Sequence, residues 1–377
     1  MRIAIVHDWL NQNGGAERVL EALHDLYPDA PIYTSLYDPA RVPRRYADWD
    51  IRTSFMQRFP LAKARHQAFL PFFPLAFRSF DFSGYDLVIS NSSGFAHSIR
   101  VPPGTKHINY CLTPPRFLWM PGAYLARERV PARRALLPLI VALRRYDARS
   151  VRSVTRFVAI SEAVRDRIRR WYGREADIVY PPVQTDLFRA VDRPAEYYFV
   201  AARLVPYKRV DLPVRAFSEL KLPLIVAGDG RDGAALRAMA GPTVKFTGWV
   251  SHERLIGLMA RCKAFVFPAE EDFGIAPLEA GACGRPVIAY AAGGALETVV
   301  EGLTGVFFHE PSPASLSDAV RRFEGMAFDP AVIRRHAEGF DSRVFHERFA
   351  SVVQETMRSP GPVLPEPREP ALERSEG

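Results

Sequence analysis

Two series of short apolar runs, each broken by glycine turns and helical patterns, constrain this chain more than any other feature. The first series opens with Arg2 to His7, a β-branched run that predicts a buried strand. The loop Asp8 to Asn13 follows, and then Gly14-Gly15-Ala16-Glu17-Arg18-Val19-Leu20-Glu21-Ala22-Leu23, with apolar residues at helical spacing behind two glycines. Strand, glycine turn and helix form the opening unit of a doubly wound α/β domain. Further strand-like segments are Pro31 to Leu36, Asp86 to Ser90, His107 to Leu112, Phe157 to Ser161 and Ala176 to Tyr180. Residues Pro181 to Pro194, with three prolines and mixed charge, read as a linker.

The pattern then restarts. Tyr197 to Ala201 is the first strand of a second series, continued by Leu222 to Ala227, Val244 to Phe246, Ala264 to Phe267, Pro286 to Ala289 and Gly305 to Phe307. Each strand but the last is followed by a helical pattern. The expectation is therefore two Rossmann-like α/β domains in tandem. The first spans 1–180, a linker 181–195 and the second domain 196–340. From the amphipathic stretch Ala331 to Met357, residues 341–357 are expected to form a C-terminal helix packing back on the first domain, and 358–377 a disordered tail.

Composition narrows the class. With 377 residues, 48% hydrophobic and 24% charged, the chain is long enough for two cores and unlike a disordered or collagenous protein. Its longest apolar run, Ala135 to Leu143, is nine residues and contains Pro138, against the roughly 20 of a membrane-spanning helix. Asp8 falls within any supposed signal h-region, which argues against secretion. Cys111, Cys262 and Cys283 are too few and scattered for a disulfide framework or zinc cluster, so the expected compartment is the cytoplasm.

Charge is unevenly placed. Residues through 180 carry 27 basic and 16 acidic side chains, the remainder 23 and 26. An Arg-rich composition accounts for part of this, since 44 of the 50 basic residues are Arg. The alternative is that the first half faces something anionic, either a membrane surface or a phosphorylated acceptor. Arg133-Arg134 and Arg144-Arg145 bracket the apolar run 135–143, a pattern shared by a segment lying on an anionic membrane at the inner face and by a buried helix with charged ends. No nucleic-acid module is recognisable in the basic half, so nucleic acid is not an expected partner.

The densest information lies between Phe265 and Ala289. A buried strand ends at Pro268, an acidic loop containing Gly274 follows, a short helix starts near Pro277, and Gly284 closes it. The loop thus brings Glu271, the Gly274 backbone and a helix N-terminus to the carboxyl edge of a parallel sheet, where ligands of such sheets bind and phosphate is favoured. Glu271 and Glu279 are separated by seven residues, and a carboxylate can accept two hydroxyl hydrogen bonds, which suits a polyol on each side of a phosphate. That describes a nucleotide sugar; the spacing alone fits somewhat better two acids placed by the helix dipole. Arg203 and Lys208, in the first loop of the second series, are cations suited to a diphosphate.

These residues carry a resemblance. Arg203-Leu with Lys208, the turn Gly228-Asp-Gly230, Phe246-Thr-Gly248-Trp-Val, and Glu271-Asp-Phe-Gly-Ile-Ala-Pro-Leu-Glu279 followed by Ala282-Cys-Gly-Arg-Pro-Val-Ile-Ala resemble the donor half of retaining glycosyltransferases of family 4, which have the GT-B fold. In the first half His7-Asp-Trp-Leu, Gly14-Gly15-Ala-Glu-Arg-Val-Leu-Glu, Pro28-Asp-Ala-Pro-Ile-Tyr-Thr and Tyr110-Cys-Leu-Thr-Pro-Pro-Arg-Phe-Leu-Trp119 are similar to bacterial mannosyltransferases of O-antigen and exopolysaccharide synthesis. The resemblance implies two Rossmann-like domains facing a cleft. It implies that Arg203 and Lys208 hold the diphosphate, and that Glu279 holds the ribose. Glu271 with Phe273, Gly274, Ile275 and Ala276 would hold the transferred sugar, and Trp249 and Val250 would lie near the base. Gly14 and Gly15 would let the first helix approach the diphosphate. It implies transfer with retention, no metal and no cofactor beyond the nucleotide-sugar co-substrate, with GDP-mannose favoured and a glycan or lipid-linked acceptor.

One departure stands out. Where the family commonly carries a histidine before Thr-Pro to contact the transferred sugar, this chain has Leu112, leaving His97 and His7 as candidate sugar contacts. Three motifs are decoys. Gly228-Asp-Gly-Arg-Asp-Gly233 spells a dinucleotide fingerprint but lacks the acid about 20 positions on. Asp48-Trp-Asp50 imitates a metal motif with no strand leading in, and Asn91-Ser-Ser is a glycosylation sequon without use in a cytoplasmic protein. Alternatives that keep the fold are a UDP-sugar-dependent transferase and a nucleotide-sugar epimerase, which needs no acceptor. A non-catalytic membrane-surface scaffold would lose the quartet Arg203, Lys208, Glu271 and Glu279.

Overall fold

The computed structural model describes residues 1–120, 137–191 and 194–359. It forms two compact units: Met1–Tyr180 together with the chain from Phe345 onward, and Pro181–Val344.

The first unit holds a seven-stranded sheet of β1 (Ile3–His7), β2 (Ile32–Thr34), β3 (Ile51–Thr53), β4 (Leu87–Ser92), β5 (Lys106–Cys111), β6 (Arg156–Ala159) and β7 (Ala176–Ile178). The order is β3-β2-β1-β4-β5-β6-β7, with every pairing parallel. The order reverses between β1 and β4, which is where such sheets place their ligands. Strand β3 was not expected from sequence. It is a three-residue edge strand whose Ile51, Arg52 and Thr53 stay partly or wholly exposed, so it leaves no apolar signature. Helices α1 (Gly15–Leu26), α2 (Phe73–Arg78), α3 (Arg116–Trp119), α4 (Leu137–Ser150) and α5 (Glu162–Tyr172) connect the strands. Local chemistry sets their ends: Ser161 caps α5 by accepting from the Val164 amide, and Gly173 ends it at φ 63°. Of the basic run bracketing 135–143, Arg144 and Arg145 lie on α4, while residues 121–136 lie outside the described residues, as does the tail from 360.

The second unit holds β8 (Tyr198–Ala201), β9 (Leu224–Ala227), β10 (Val244–Gly248), β11 (Ala264–Phe267), β12 (Val287–Tyr290) and β13 (Gly305–Phe308), ordered β10-β9-β8-β11-β12-β13 and again parallel. Its helices are α6 (Asp211–Leu220), α7 (Gly233–Met239), α8 (His252–Arg261), α9 (Ile275–Ala282), α10 (Ala295–Thr298), α11 (Pro313–Glu324) and α12 (Pro330–Glu338). Period-two alternation divides the strand residues between two cores. Tyr198, Val200, Ala264, Val266 and Ile288 pack with Phe217 of α6 and Val320 of α11. Phe199, Phe265, Phe267, Val287 and Ala289 pack on the other face with Met259 of α8, Ala280 of α9 and Ala337 of α12. Burying both faces explains why these strands read as continuous apolar runs.

One expectation is corrected. The last strand, β13, is followed by a helix after all: Ser312 caps α11 by accepting from the Ser315 amide, and Pro313 occupies its first turn. The stretch Ala331 to Met357 holds α12 and then α13 (Ser342–Arg358), which lies where the C-terminal helix over 341–357 was expected. The break between them is held by Asp341, whose carboxylate accepts from Thr185 Oγ1 at 2.6 Å. From Phe345 onward α13 belongs to the first unit, where Phe345 and Phe349 set their rings edge-on to Tyr110 at 5.7 and 5.8 Å between centroids. Arg156 there bridges Asp177 and Glu355.

Candidate functional site

In the second unit three loops converge beyond the carboxyl ends of β8, β9 and β10. The loop after β9 lies flat on the one after β8: a β-carbon on Gly228, at φ 124°, would come within 2.0 Å of the Ala202 carbonyl oxygen. The Leu204 amide donates to the Asp229 carbonyl at 2.9 Å, and the Gly228 amide to the Gly248 carbonyl at 2.8 Å. The Asp229 carboxylate accepts from the Trp249 amide at 2.7 Å, which anchors the backbone of a tryptophan whose side chain is 76% exposed. Large aromatic rings are seldom left in water. Arg203, exposed in the first of these loops, donates from Nη2 to the Tyr207 hydroxyl at 2.8 Å.

Lys208 ends the short 3₁₀ turn Pro206–Lys208 and reaches across to the loop after β11, where its Nζ lies 2.5 Å from Glu271 Oε1. Strands β8 and β11 are the neighbours at which this sheet reverses its order. The Lys208–Glu271 pair therefore sits at the topological switch point, with both side chains partly open to solvent. Glu271 is itself placed by backbone packing. Its carbonyl accepts from the Gly294 amide at 2.9 Å, and a β-carbon on Gly294 would lie 2.1 Å from the Phe273 Cα. Sequence reasoning missed Gly293 and Gly294; their signal is a glycine pair directly between a strand and a helix.

The helix after Glu271 starts at Ile275, close to where it was expected, because Gly274 adopts φ 87° and serves as its N-cap, leaving Pro277 third in the helix. Glu279 is thus the fifth residue, in the second turn, and is only 5% exposed. Val250 is partly buried against the core below Trp249. Burial pushes the nearby Cys283 thiol up to about 12, with Arg285 pulling the other way, so it is no nucleophile at neutral pH. Among the described residues no group of three or more His, Cys, Asp and Glu is arranged to hold a metal ion.

The first unit has its own polar cluster at the switch between β1 and β4. Gly14 and Gly15 begin α1. His7, the last residue of β1, is buried; its Nδ1 faces Asn91 Nδ2 at 3.2 Å and its Nε2 faces Glu17 Oε1 at 3.6 Å. Asn91 Nδ2 also donates to the Ala16 carbonyl, which fixes the amide's orientation and makes His7 Nδ1 the acceptor. Asn91, a decoy sequon in the sequence, is thus an interior residue. Asp8 is buried as well, and its carboxylate accepts from the amides of Ser93, Gly94 and Ala96 at 2.6, 2.7 and 2.8 Å. His97, the other candidate sugar contact, is 2% exposed, and its Nε2 lies 2.9 Å from Asp147, which also accepts from Trp119 and Tyr172. That arrangement ties together α3, α4 and α5. Leu112 is buried at the end of β5.

Residues 188–338 match the model of the family described as Glycosyl transferases group 1. A GDP-mannose-dependent monoacylated alpha-(1-6)-phosphatidylinositol monomannoside mannosyltransferase of Corynebacterium glutamicum is 33% identical over 181 residues, covering 42% of this chain and 46% of the relative. A D-inositol 3-phosphate glycosyltransferase of Mycobacterium tuberculosis is 30% identical over 167 residues, covering 38% and 35%. The match thus spans less than half the length of these curated relatives. Among solved structures, Anabaena HepE in complex with UDP superposes with a TM-score of 0.70 at 18% identity, over 94% of this chain and all of that one. The sucrose-phosphate synthase of Thermosynechococcus elongatus gives 0.69 at 18% identity, over 94% and 99%. At such identities the likeness shows the fold: two Rossmann-like units with GT-B glycosyltransferases as structural neighbours. The family match supports a group 1 glycosyltransferase segment in the second unit.

Proposed function

We propose that this protein is a retaining glycosyltransferase that moves mannose from GDP-mannose onto a glycan or lipid-linked acceptor of a cell-surface polysaccharide. The observation that carries the reading is the Lys208–Glu271 pair at the switch point between β8 and β11, beside the N-terminus of α9. A cation, a carboxylate and a helix end at one sheet edge suit a ligand that joins a diphosphate to a polyol. The mannosyl choice draws on the activity of the corynebacterial relative.

In this reading Arg203 and Lys208 neutralise the diphosphate and Glu279 accepts from the ribose hydroxyls. Glu271, with the backbone from Phe273 to Ala276, orients the transferred sugar. Trp249 and Val250 flank the base. When the bond from the anomeric carbon to phosphate breaks, negative charge grows on the leaving oxygen. The two cations and the α9 dipole stabilise it without a bound metal, so the rate comes from positioning and electrostatics. The acceptor hydroxyl loses its proton to the departing phosphate as the new bond forms.

The test is a product assay with labelled GDP-mannose, with and without a bacterial lipid extract as acceptor. The expected result is label transferred to an extract component in the α configuration of the donor. Consumption of donor to a free sugar or an isomer without acceptor would establish an epimerase or hydrolase instead. Transfer from UDP-sugars alone would overturn the guanine assignment.

A further inference from the structure

The motif His7-Asp-Trp-Leu, which the proposed donor site does not use, lies where β1 runs out at the reversal of the first sheet. Ligands of open α/β sheets bind in the crevice between the loops that leave the two strands on either side of such a reversal. Those strands are β1 and β4, so the walls are the loop from Asp8 and the loop from Ser93. Asp8 joins one wall to the other. Its Oδ2 accepts from the Ser93 and Gly94 amides at 2.6 and 2.7 Å and from the Ser93 hydroxyl at 3.3 Å, while Oδ1 accepts from the Ala96 amide at 2.8 Å. Amides of one loop that converge on a single point form an anion-binding nest. Here the chain fills the nest with its own carboxylate.

The fit is close. A β-carbon on Gly94 would lie 3.0 Å from Asp8 Oδ1 and 3.1 Å from the Trp9 ring, tighter than an ordinary contact, so glycine is what lets the second wall come this near. Asp8 and the residues after it also fasten other loops of the unit. The Asp8 carbonyl accepts from the Ser35 hydroxyl, and the Leu10 amide donates to the Leu36 carbonyl at 2.8 Å while its own carbonyl accepts from the Asp38 amide at 2.7 Å. Trp9 sets its ring edge-on to Phe73 and 4.8 Å from that of His66. Asn11 Nδ2 donates to the Lys63 carbonyl at 2.8 Å and to His66 Nδ1 at 2.9 Å. The tie that crosses the crevice is the charged one, and hydrogen bonds to an ionised acceptor are about twice as strong as neutral ones.

We propose that Asp8 is a positioning residue for the acceptor: by clamping the loop after β4 to the loop after β1, it sets the width of the first unit's crevice, where the acceptor is held. This role rests on the glycosyltransferase reading and does not depend on which nucleotide the second unit binds.

Transfer kinetics on the full chain, with GDP-mannose and the bacterial lipid extract varied separately, test the role. Asp8→Asn keeps the side chain's shape but turns an NH2 group toward at least one of the three amides. It is expected to raise the half-saturating amount of extract about tenfold, with a smaller effect on the rate at saturating extract and none on GDP affinity by calorimetry. Gly94→Ala, which crowds the clamp from the opposite wall, should act in the same direction. In Asp8→Gly the emptied nest should take formate, which is expected to return the extract requirement toward wild type where chloride at equal ionic strength does not. Hydrogen exchange at the Ser93, Gly94 and Ala96 amides should quicken in that variant and slow again with formate. Arg156→Ala is the control for stability: Arg156 begins β6, at the opposite end of the parallel sheet, and pairs with Asp177 and Glu355. It is expected to lower the unfolding midpoint and leave the extract requirement unchanged. A wild-type extract requirement in Asp8→Asn, no response of Asp8→Gly to formate, or an equal rise in Arg156→Ala would overturn the proposal and leave the transferase reading standing. A wild type that transfers no label from any donor would overturn that reading and the acceptor role with it.

Discussion

Glu271 and Lys208 illustrate how a residue's meaning depends on what it meets. Each is an ordinary solvated charge until β8 and β11 are placed side by side, when they pair at 2.5 Å. A donor diphosphate would compete for Lys208 and release Glu271 to the sugar. Glu271→Gln is therefore expected to leave GDP affinity unchanged or tighter while lowering the advantage of GDP-mannose over GDP about tenfold, as the loss of one charged hydrogen bond implies. Lys208→Ala is expected to lower turnover more than donor affinity. Binding and single-turnover measurements on the two variants separate these effects, and wild-type values in both would count against the assigned roles.

His107 sets an acid limit on stability. Its imidazole is pushed down to about 3, first by burial and then by the neighbouring His97, while it engages Ser90 Oγ at 2.7 Å. The folded value lies below the unfolded one near 6.5, so between these limits the unfolded chain binds the extra proton. This stability is fully present above about pH 6.5 and falls as pH drops toward 3, by at most about 1.4 kcal/mol per unit. Urea midpoints measured from pH 7 to pH 4 should therefore fall less steeply in His107→Gln than in wild type.

At the scale of elements, α13 is the clearest case of a helix serving the unit it does not follow in sequence. Phe349 is fully buried against Tyr110, and the His346 ring lies 3.0 Å from the Ala22 carbonyl of α1. Phe349→Ala should cost about 3–5 kcal/mol by leaving a cavity, and hydrogen exchange should show the loss of protection in β5 and β6. A uniform loss across both units would contradict that placement. Element-level legibility follows burial. Strands covered on both faces, such as β8, β11 and β12, announce themselves as apolar runs, whereas the half-exposed edge strand β3 does not. Helix α11 was overlooked because it begins in Ser312-Pro313, a pair that reads as a loop until Ser312 is seen accepting from Ser315.

On the scale of the whole molecule, the tandem α/β architecture was legible because a repeated strand–turn–helix pattern admits few other folds. The candidate site was legible where it is local: Glu271, Gly274 and Glu279 lie within nine residues of one another, on a single loop and helix. It was illegible where the chain returns from afar. The Asp8 carboxylate is held by amides 85 to 88 residues away, and Gly294 shapes the Glu271 loop from 23 positions downstream. No spacing rule within one stretch reports such contacts. The partner of His97, Asp147, likewise lies 50 residues on.

Calorimetric titration tests the proposed nucleotide-sugar site of the second unit most directly. Titrating the protein with GDP, UDP, GDP-mannose and UDP-glucose should give dissociation constants on the order of micromolar for the guanine ligands, about −8 kcal/mol, with Glu279→Ala weakening them at least about tenfold through loss of the ribose contact. Absence of micromolar binding by every nucleotide, or affinities unmoved by Glu279→Ala, would contradict it.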